Sequence, residues 1–111
     1  MTARESGMES EMNRGFLQVL ALLVLDTDRY GYQMVRTVQQ LGYPLEENTL
    51  YPLLRRLEKN GWIRSQWRLD TERPRKFYRI TAAGRETRKR FLEIWHAQQR
   101  IITGLEKEAK Q

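Results

Sequence analysis

The sequence has no cysteine and one histidine, His96. Disulfides, thiol nucleophiles and cysteine-type zinc sites are therefore excluded, and one imidazole cannot form a histidine ligand cluster. His96 stands beside Trp95 with no acid or metal partner in view and reads as a surface residue. Proline is nearly as scarce, at three residues. No apolar run is long enough for a membrane: Phe16 to Leu25, interrupted only by Gln18, is half of the roughly 20 residues a spanning helix requires. The N-terminus shows no charged start followed by an apolar stretch and a small-residue cleavage site, so a cytoplasmic location is expected. Gly-rich phosphate loops, nucleophile elbows and metal-ligand spacings are also missing, so neither an enzyme nor a metal or cofactor is expected. The adjacent Glu46 and Glu47 are no catalytic pair, because neighbours before a helix point apart and simply offset its dipole.

What is present suffices for one compact domain. The chain has 111 residues, of which 40% are hydrophobic and 31% charged, a balance that favours folding over disorder. Lys and Arg outnumber Asp and Glu by 20 to 14, which calls for an anionic partner, either nucleic acid or an acidic membrane surface. The excess is local. Residues 1–13 carry Arg4 against Glu5, Glu9 and Glu11, whereas 61–80 carry Arg64, Arg68, Arg73, Arg75, Lys76 and Arg79 against Asp70 and Glu72.

Along the chain, residues 1–12 mix Ser, Gly, Glu and Met without period and read as a flexible arm with no helix. From Asn13, a plausible N-cap, to Asp26 the pattern is helical and apolar nearly all round, as in a helix sandwiched between others. Tyr32, Val35, Val38 and Leu41 recur at helical spacing in a second helix that Gly42 and Pro44 close. A third helix begins near Asn48, tolerates Pro52 close to its first turn, and ends at Asn60-Gly61. The period then becomes two. Ile63 to Leu69 alternates as a half-buried strand, and Lys76 to Thr81 is rich in strand formers, with Asp70 to Pro74 as the hairpin loop. From Ala82 helical spacing returns for some six turns, with Thr81 as N-cap.

Three helices, a two-stranded hairpin and a long helix make the chain mainly α with a β-wing: a winged helix-turn-helix over 13–81, then a dimerisation helix over 82–111. On a helical wheel of residues 47–60, Leu50, Leu53, Leu54 and Leu57 share one face, opposite Asn48, Pro52, Arg55 and Lys59, with Tyr51 beside the latter. That outward set suits a major groove. Asn pairs with adenine, Arg pairs bidentately with guanine or clamps phosphate, and Thr49 and Tyr51 hydrogen-bond phosphate. At the hairpin tip Arg73, Arg75 and Lys76 reach toward flanking phosphates. Trp62, Trp67, Phe77 and Tyr78 resemble a stacking platform for single-stranded RNA, but strand alternation puts about half of them against the helices, which favours core over platform.

These residues resemble a known family. Leu20-Ala21-Leu22-Leu23, Tyr30-Gly31-Tyr32, Asn48 through Glu58, Gly61-Trp62-Ile63 and Arg75 through Thr81 followed by Gly84 look like the PadR family of winged-helix repressors, over about residues 13–107. The resemblance implies phosphate contacts from Thr49, Tyr51, Arg75 and Lys76, and groove contacts from Asn48 and Arg55. With one long helix after the wing, the chain looks like the short subgroup of that family.

Phe91, Ile94, Trp95, Gln98, Ile101, Ile102 and Leu105 form a stripe that a monomer of this size has little left to cover. A second copy is the natural cover, and two-fold pairing would set two recognition helices about 34 Å apart on duplex DNA. Short PadR-type regulators that respond to planar drugs carry a Trp at a similar place. That resemblance makes Trp95, with Met12, Gln18, Val19 and Gln99, candidates to line a site for a planar apolar effector. The rival to DNA reading is a winged-helix adaptor that binds protein and does not read DNA, which the basic and polar constellation on helix and wing disfavours.

Overall fold

The four leucines at positions 50, 53, 54 and 57 organise the structure, a computed structural model that describes residues 3–70 and 73–110. In chain order the elements are α1 (Ala3–Val24), β1 (Arg29–Tyr30), α2 (Gly31–Gln40), α3 (Glu47–Lys59), β2 (Ile63–Asp70), β3 (Arg73–Ile80) and α4 (Ala82–Ala109). The four leucines of α3 are buried against Leu22 of α1, Leu25 just past its end, Met34 and Val38 of α2, and Ile63, Tyr78 and Ile80 of the sheet. Removing four such side chains from water stabilises the fold by about 6–12 kcal/mol before entropy is counted. This burial carries α3 through Pro52, which sits beyond the first turn and has no N–H to offer the Asn48 carbonyl. Glu46 is the N-cap, and Gly61 takes φ +80° just past the helix.

Three elements differ from the sequence reading. The first helix starts at Ala3, so most of the expected arm is helical and Asn13 lies inside α1. Residues 3–12 lack an apolar period but include the helix formers Ala3, Arg4, Glu5, Met8, Glu11 and Met12, so propensity extends a helix that packing anchors further on. Second, the hairpin is tighter: Asp70, Arg73 and Pro74 belong to strands, with Asp70 opposite Arg73, and Thr71 and Glu72 lie outside the described residues. Third, the sheet has three strands in the order β1-β3-β2, because Arg29 and Tyr30 pair with Tyr78 and Phe77.

Antiparallel pairing puts Ile63 with Ile80, Ser65 with Tyr78, Trp67 with Lys76, and Leu69 with Pro74. Cross-strand partners share a face, so these pairs make up the side that packs on α3, and Gln66, Arg68, Arg75 and Phe77 lie on the other. Adjacent Phe77 and Tyr78 are nevertheless both buried. Tyr78 enters the core, while Phe77 is roofed by the Arg68 guanidinium 3.9 Å from its ring and by the edge of Tyr30.

Polar joints fix the elements relative to one another. Ser65 Oγ donates to Glu58 at 3.0 Å, joining β2 to α3. Arg79 donates twice to Asp28, joining the wing to the α1–α2 connection. Arg88 reaches Asp26 at 2.8 Å, tying α4 to the end of α1. Thr81 caps α4 as expected, its Oγ1 accepting from Gly84 N at 3.0 Å. Beyond Ala97 every described residue of α4 is exposed, so the helix projects past the body. Among the described residues no helix is long and apolar enough to cross a membrane.

Candidate nucleic-acid interface

Because α3 buries its leucines, its remaining face must meet solvent or a partner. Asn48, Thr49, Tyr51, Pro52, Arg55 and Lys59 are all exposed there, Asn48 and Thr49 in the first turn. The sheet's pairing brings the wing alongside. Tyr51 and Arg55 of α3, Arg75 and Lys76 of β3, Tyr30, Gly31 and Tyr32 at the start of α2, and Trp67, Pro74 and Tyr78 line one open groove of about 510 Å³. Asn48, Thr49 and Lys59 lie on α3 outside this groove, and the side chain of Arg73 lies outside the described residues.

Three cations border the groove, and aromatic faces border it with them. The Arg75 guanidinium lies 5.3 Å from the centre of the Tyr32 ring, and the Lys76 ammonium 5.8 Å from that of Trp67. Tyr51 packs its ring on Gly31 so closely that a β-carbon there would fall 2.7 Å from the phenol oxygen. Burial, and secondarily the carboxylate of Glu47, hold the Tyr51 hydroxyl above its ordinary pKa. Burial does the same for Tyr78, helped by Tyr51 and Glu58 and opposed by Arg55. Both phenols therefore stay protonated at neutral pH and keep an O–H to donate. Cations and neutral donors facing one groove are the chemistry that holds a phosphodiester backbone.

Sequence reasoning missed the part played by Tyr30, Tyr32, Trp67, Pro74 and Tyr78 in this groove. Trp67 is a correction: it is 64% exposed, not core. It shares a side of β2 with the buried Ile63, but the strand runs on past the end of the core. Trp62 is half-buried, edge-on to Phe91 at 5.7 Å.

A second groove, of about 770 Å³, runs between α1 and α4. Met12, Gln18, Val19, Trp95 and Gln99 all line it, with Phe16, Phe91, Ile94, Gln98, Ile102 and Glu106. Trp95 is 43% exposed. Ile101 and Leu105 continue the exposed apolar stripe, whereas Phe91 is half-buried against Trp62.

The model of the transcriptional regulator PadR-like family matches residues 19–90, which takes in α2, α3 and the wing with every residue that lines the groove between them. The chain belongs to the PadR-like family. Members are transcriptional regulators rather than enzymes, and the chain is one by the same membership. A PadR family transcriptional regulator from Eggerthella lenta has a crystal structure that superposes with TM-score 0.83 at 39% identity, covering 90% of this chain and 89% of that one. A transcriptional regulator of Mycobacterium tuberculosis is 38% identical over 60 residues, covering 54% of this chain and 56% of its own length. Bacillus subtilis PadR, solved in complex with operator DNA, shares the fold at TM-score 0.64 and 21% identity, covering 69% of this chain and 45% of that chain.

Proposed function

We propose that this PadR-like regulator binds duplex DNA as a homodimer and represses transcription by occupying its operator. The observation that carries the reading is the single groove in which Tyr51 and Arg55 of α3 face Arg75 and Lys76 of the wing. In this reading α3 enters a major groove, Asn48 and Arg55 address base edges, and Thr49, Tyr51, Lys59, Arg73, Arg75 and Lys76 hold phosphates on either side. The exposed stripe on α4, through Ile94, Trp95, Gln98, Ile101, Ile102 and Leu105 with the edge of Phe91, pairs with a second copy. A planar apolar effector stacks on Trp95 in the α1–α4 groove and relieves repression by changing the separation of the two α3 helices.

The test is affinity for the DNA upstream of the protein's own gene against a scrambled duplex, at two salt concentrations. A selective regulator favours the first by several orders of magnitude, and both affinities fall as salt rises. Equal, weak binding to both duplexes and to a single strand would instead favour a protein-binding adaptor.

A further inference from the structure

The wing carries an apolar strip that the fold does not use. On the sheet face toward α3, the pairs Ile63–Ile80 and Ser65–Tyr78 sit over the core, and Ile63, Tyr78 and Ile80 are 1%, 5% and 4% exposed. The next two pairs on that face, Trp67–Lys76 and Leu69–Pro74, extend beyond the helices. Trp67 is 64% exposed and Leu69 76%, and Pro74 is exposed as well. Two large apolar side chains in water at the end of a hairpin bring no stability to the chain that displays them, so a partner is the natural reason for their position.

The surroundings specify that partner. Trp67 and Pro74 line the same groove as Arg55, Arg75 and Lys76, and the Lys76 ammonium stands beside the Trp67 ring. Arg68, on the opposite face, adds a further cation to β2. A membrane surface or an apolar protein groove would answer the strip alone. A polyanion whose charges alternate with apolar rings answers strip and cations together, and in a nucleic-acid backbone each phosphate is flanked by the carbon face of a sugar.

We infer that Trp67, with Leu69, packs on the deoxyribose faces of the strand whose phosphates Lys76 and Arg75 hold, so the wing grips DNA by apolar contact as well as by charge. The inference rests on the DNA-binding reading above and adds to it a part of the affinity that salt does not screen. Cation–phosphate contacts release counterions and set the slope of log affinity against log salt, whereas an indole on a sugar releases none.

The experiment uses the full-length protein and two duplexes, one from upstream of its own gene and one scrambled, with affinity measured at four salt concentrations for wild type, Trp67→Ala, Trp67→Phe and Lys76→Ala. Trp67→Ala should weaken binding about 5- to 20-fold at every salt, with slope unchanged, consistent with about 1–2 kcal/mol for one aromatic contact. Trp67→Phe should recover most of that loss. Lys76→Ala should reduce the slope by about one. Unaltered thermal unfolding of Trp67→Ala, expected for so exposed a residue, separates loss of contact from loss of fold. Unchanged affinity for Trp67→Ala while Lys76→Ala lowers the slope would overturn the sugar contact and leave the DNA reading standing. Absence of duplex binding by wild type would remove both.

Discussion

Gly84 in the first turn of α4 lies against the backbone carbonyl of Trp62, with no space for a β-carbon between them. Ile80 Cγ1 closes the same position at 2.7 Å, and the Trp62 oxygen is held in place by accepting from Thr81 N at 3.0 Å. Trp62 N in turn donates to the Leu57 carbonyl of α3. One residue thus joins the end of α3 to the start of α4, and its ring meets Phe91 about two turns further along the same face of that helix.

Gly84→Ala should therefore destabilise the protein although alanine favours helix. The helix gains about 1 kcal/mol, while forcing a methyl against a fixed carbonyl costs about 3 kcal/mol, at the upper end of overpacking penalties. The expected net loss is about 2 kcal/mol by denaturant unfolding. Gly104→Ala in the same helix, where a β-carbon meets nothing within 4 Å, should gain up to about 1 kcal/mol and serves as the control. Equal effects at the two sites would show that the Trp62 contact does not constrain α4.

Phenol burial predicts a loss of stability in alkali. The Tyr78 hydroxyl has its folded pKa raised above the ordinary value, first by burial and then by Tyr51 and Glu58. The folded state then holds its proton more tightly than the unfolded chain does. The resulting stability is complete below about pH 10, where the unfolded phenol titrates, and is lost as pH rises through the folded pKa. Tyr51 adds in the same direction. Unfolding free energy measured from pH 8 to 11.5 should fall above pH 10, and less steeply in Tyr78→Phe. An identical fall in that variant would assign the effect to other groups.

Much of this is legible in the amino-acid sequence, and what is not has physical causes. The leucines of α3, the Thr81 cap and the stripe on α4 all announce themselves by period, since each recurs over several turns or stands at a fixed offset from a helix start. β1 carries no such signal: two residues cannot display alternation, and Arg29–Tyr30 is a strand only because β3 lies beside it. Residues 3–12 are helical without an amphipathic period. Alternation groups Trp67 with Ile63 on one side of β2, but period identifies the side of a strand and not where the core beneath it ends.

Wing charge is separable from wing packing. Arg75→Ala with Lys76→Ala should weaken binding to every duplex and lower the salt slope by roughly two. Neither side chain holds up the core, so unfolding should be unaffected. A slope that stays at the wild-type value would remove the wing from the interface.

The exposed stripe on α4 predicts an oligomeric state. Ile101 is 63% exposed and Leu105 60% in the single chain, so Ile101→Asp should leave the monomer folded. A carboxylate in an apolar two-fold interface costs several kcal/mol, and both copies would supply one. Sedimentation should find dimer for wild type and monomer for the variant at micromolar concentration, with DNA affinity lowered because two linked half-sites become one. A dimeric variant would place the interface elsewhere.

Trp95 gives the effector reading its most direct test. Of the three tryptophans, Trp62 is half-buried against Phe91 and Trp67 stands on the wing, which leaves Trp95 alone in the α1–α4 groove with Met12, Gln18, Val19 and Gln99. A planar tricyclic dye such as an acridine, titrated without DNA, should quench wild-type emission and should quench Trp62→Phe and Trp67→Phe by a similar amount. Trp95→Ala should remove the quench and weaken dye binding about tenfold, the equivalent of about 1.4 kcal/mol, which an aromatic stack with its buried area supplies. Trp95→Phe keeps a ring and should keep most of the affinity while losing the quench. Undiminished dye affinity in Trp95→Ala would mean that the groove does not stack planar ligands on this residue, and Trp95 would then belong to the dimer contact alone.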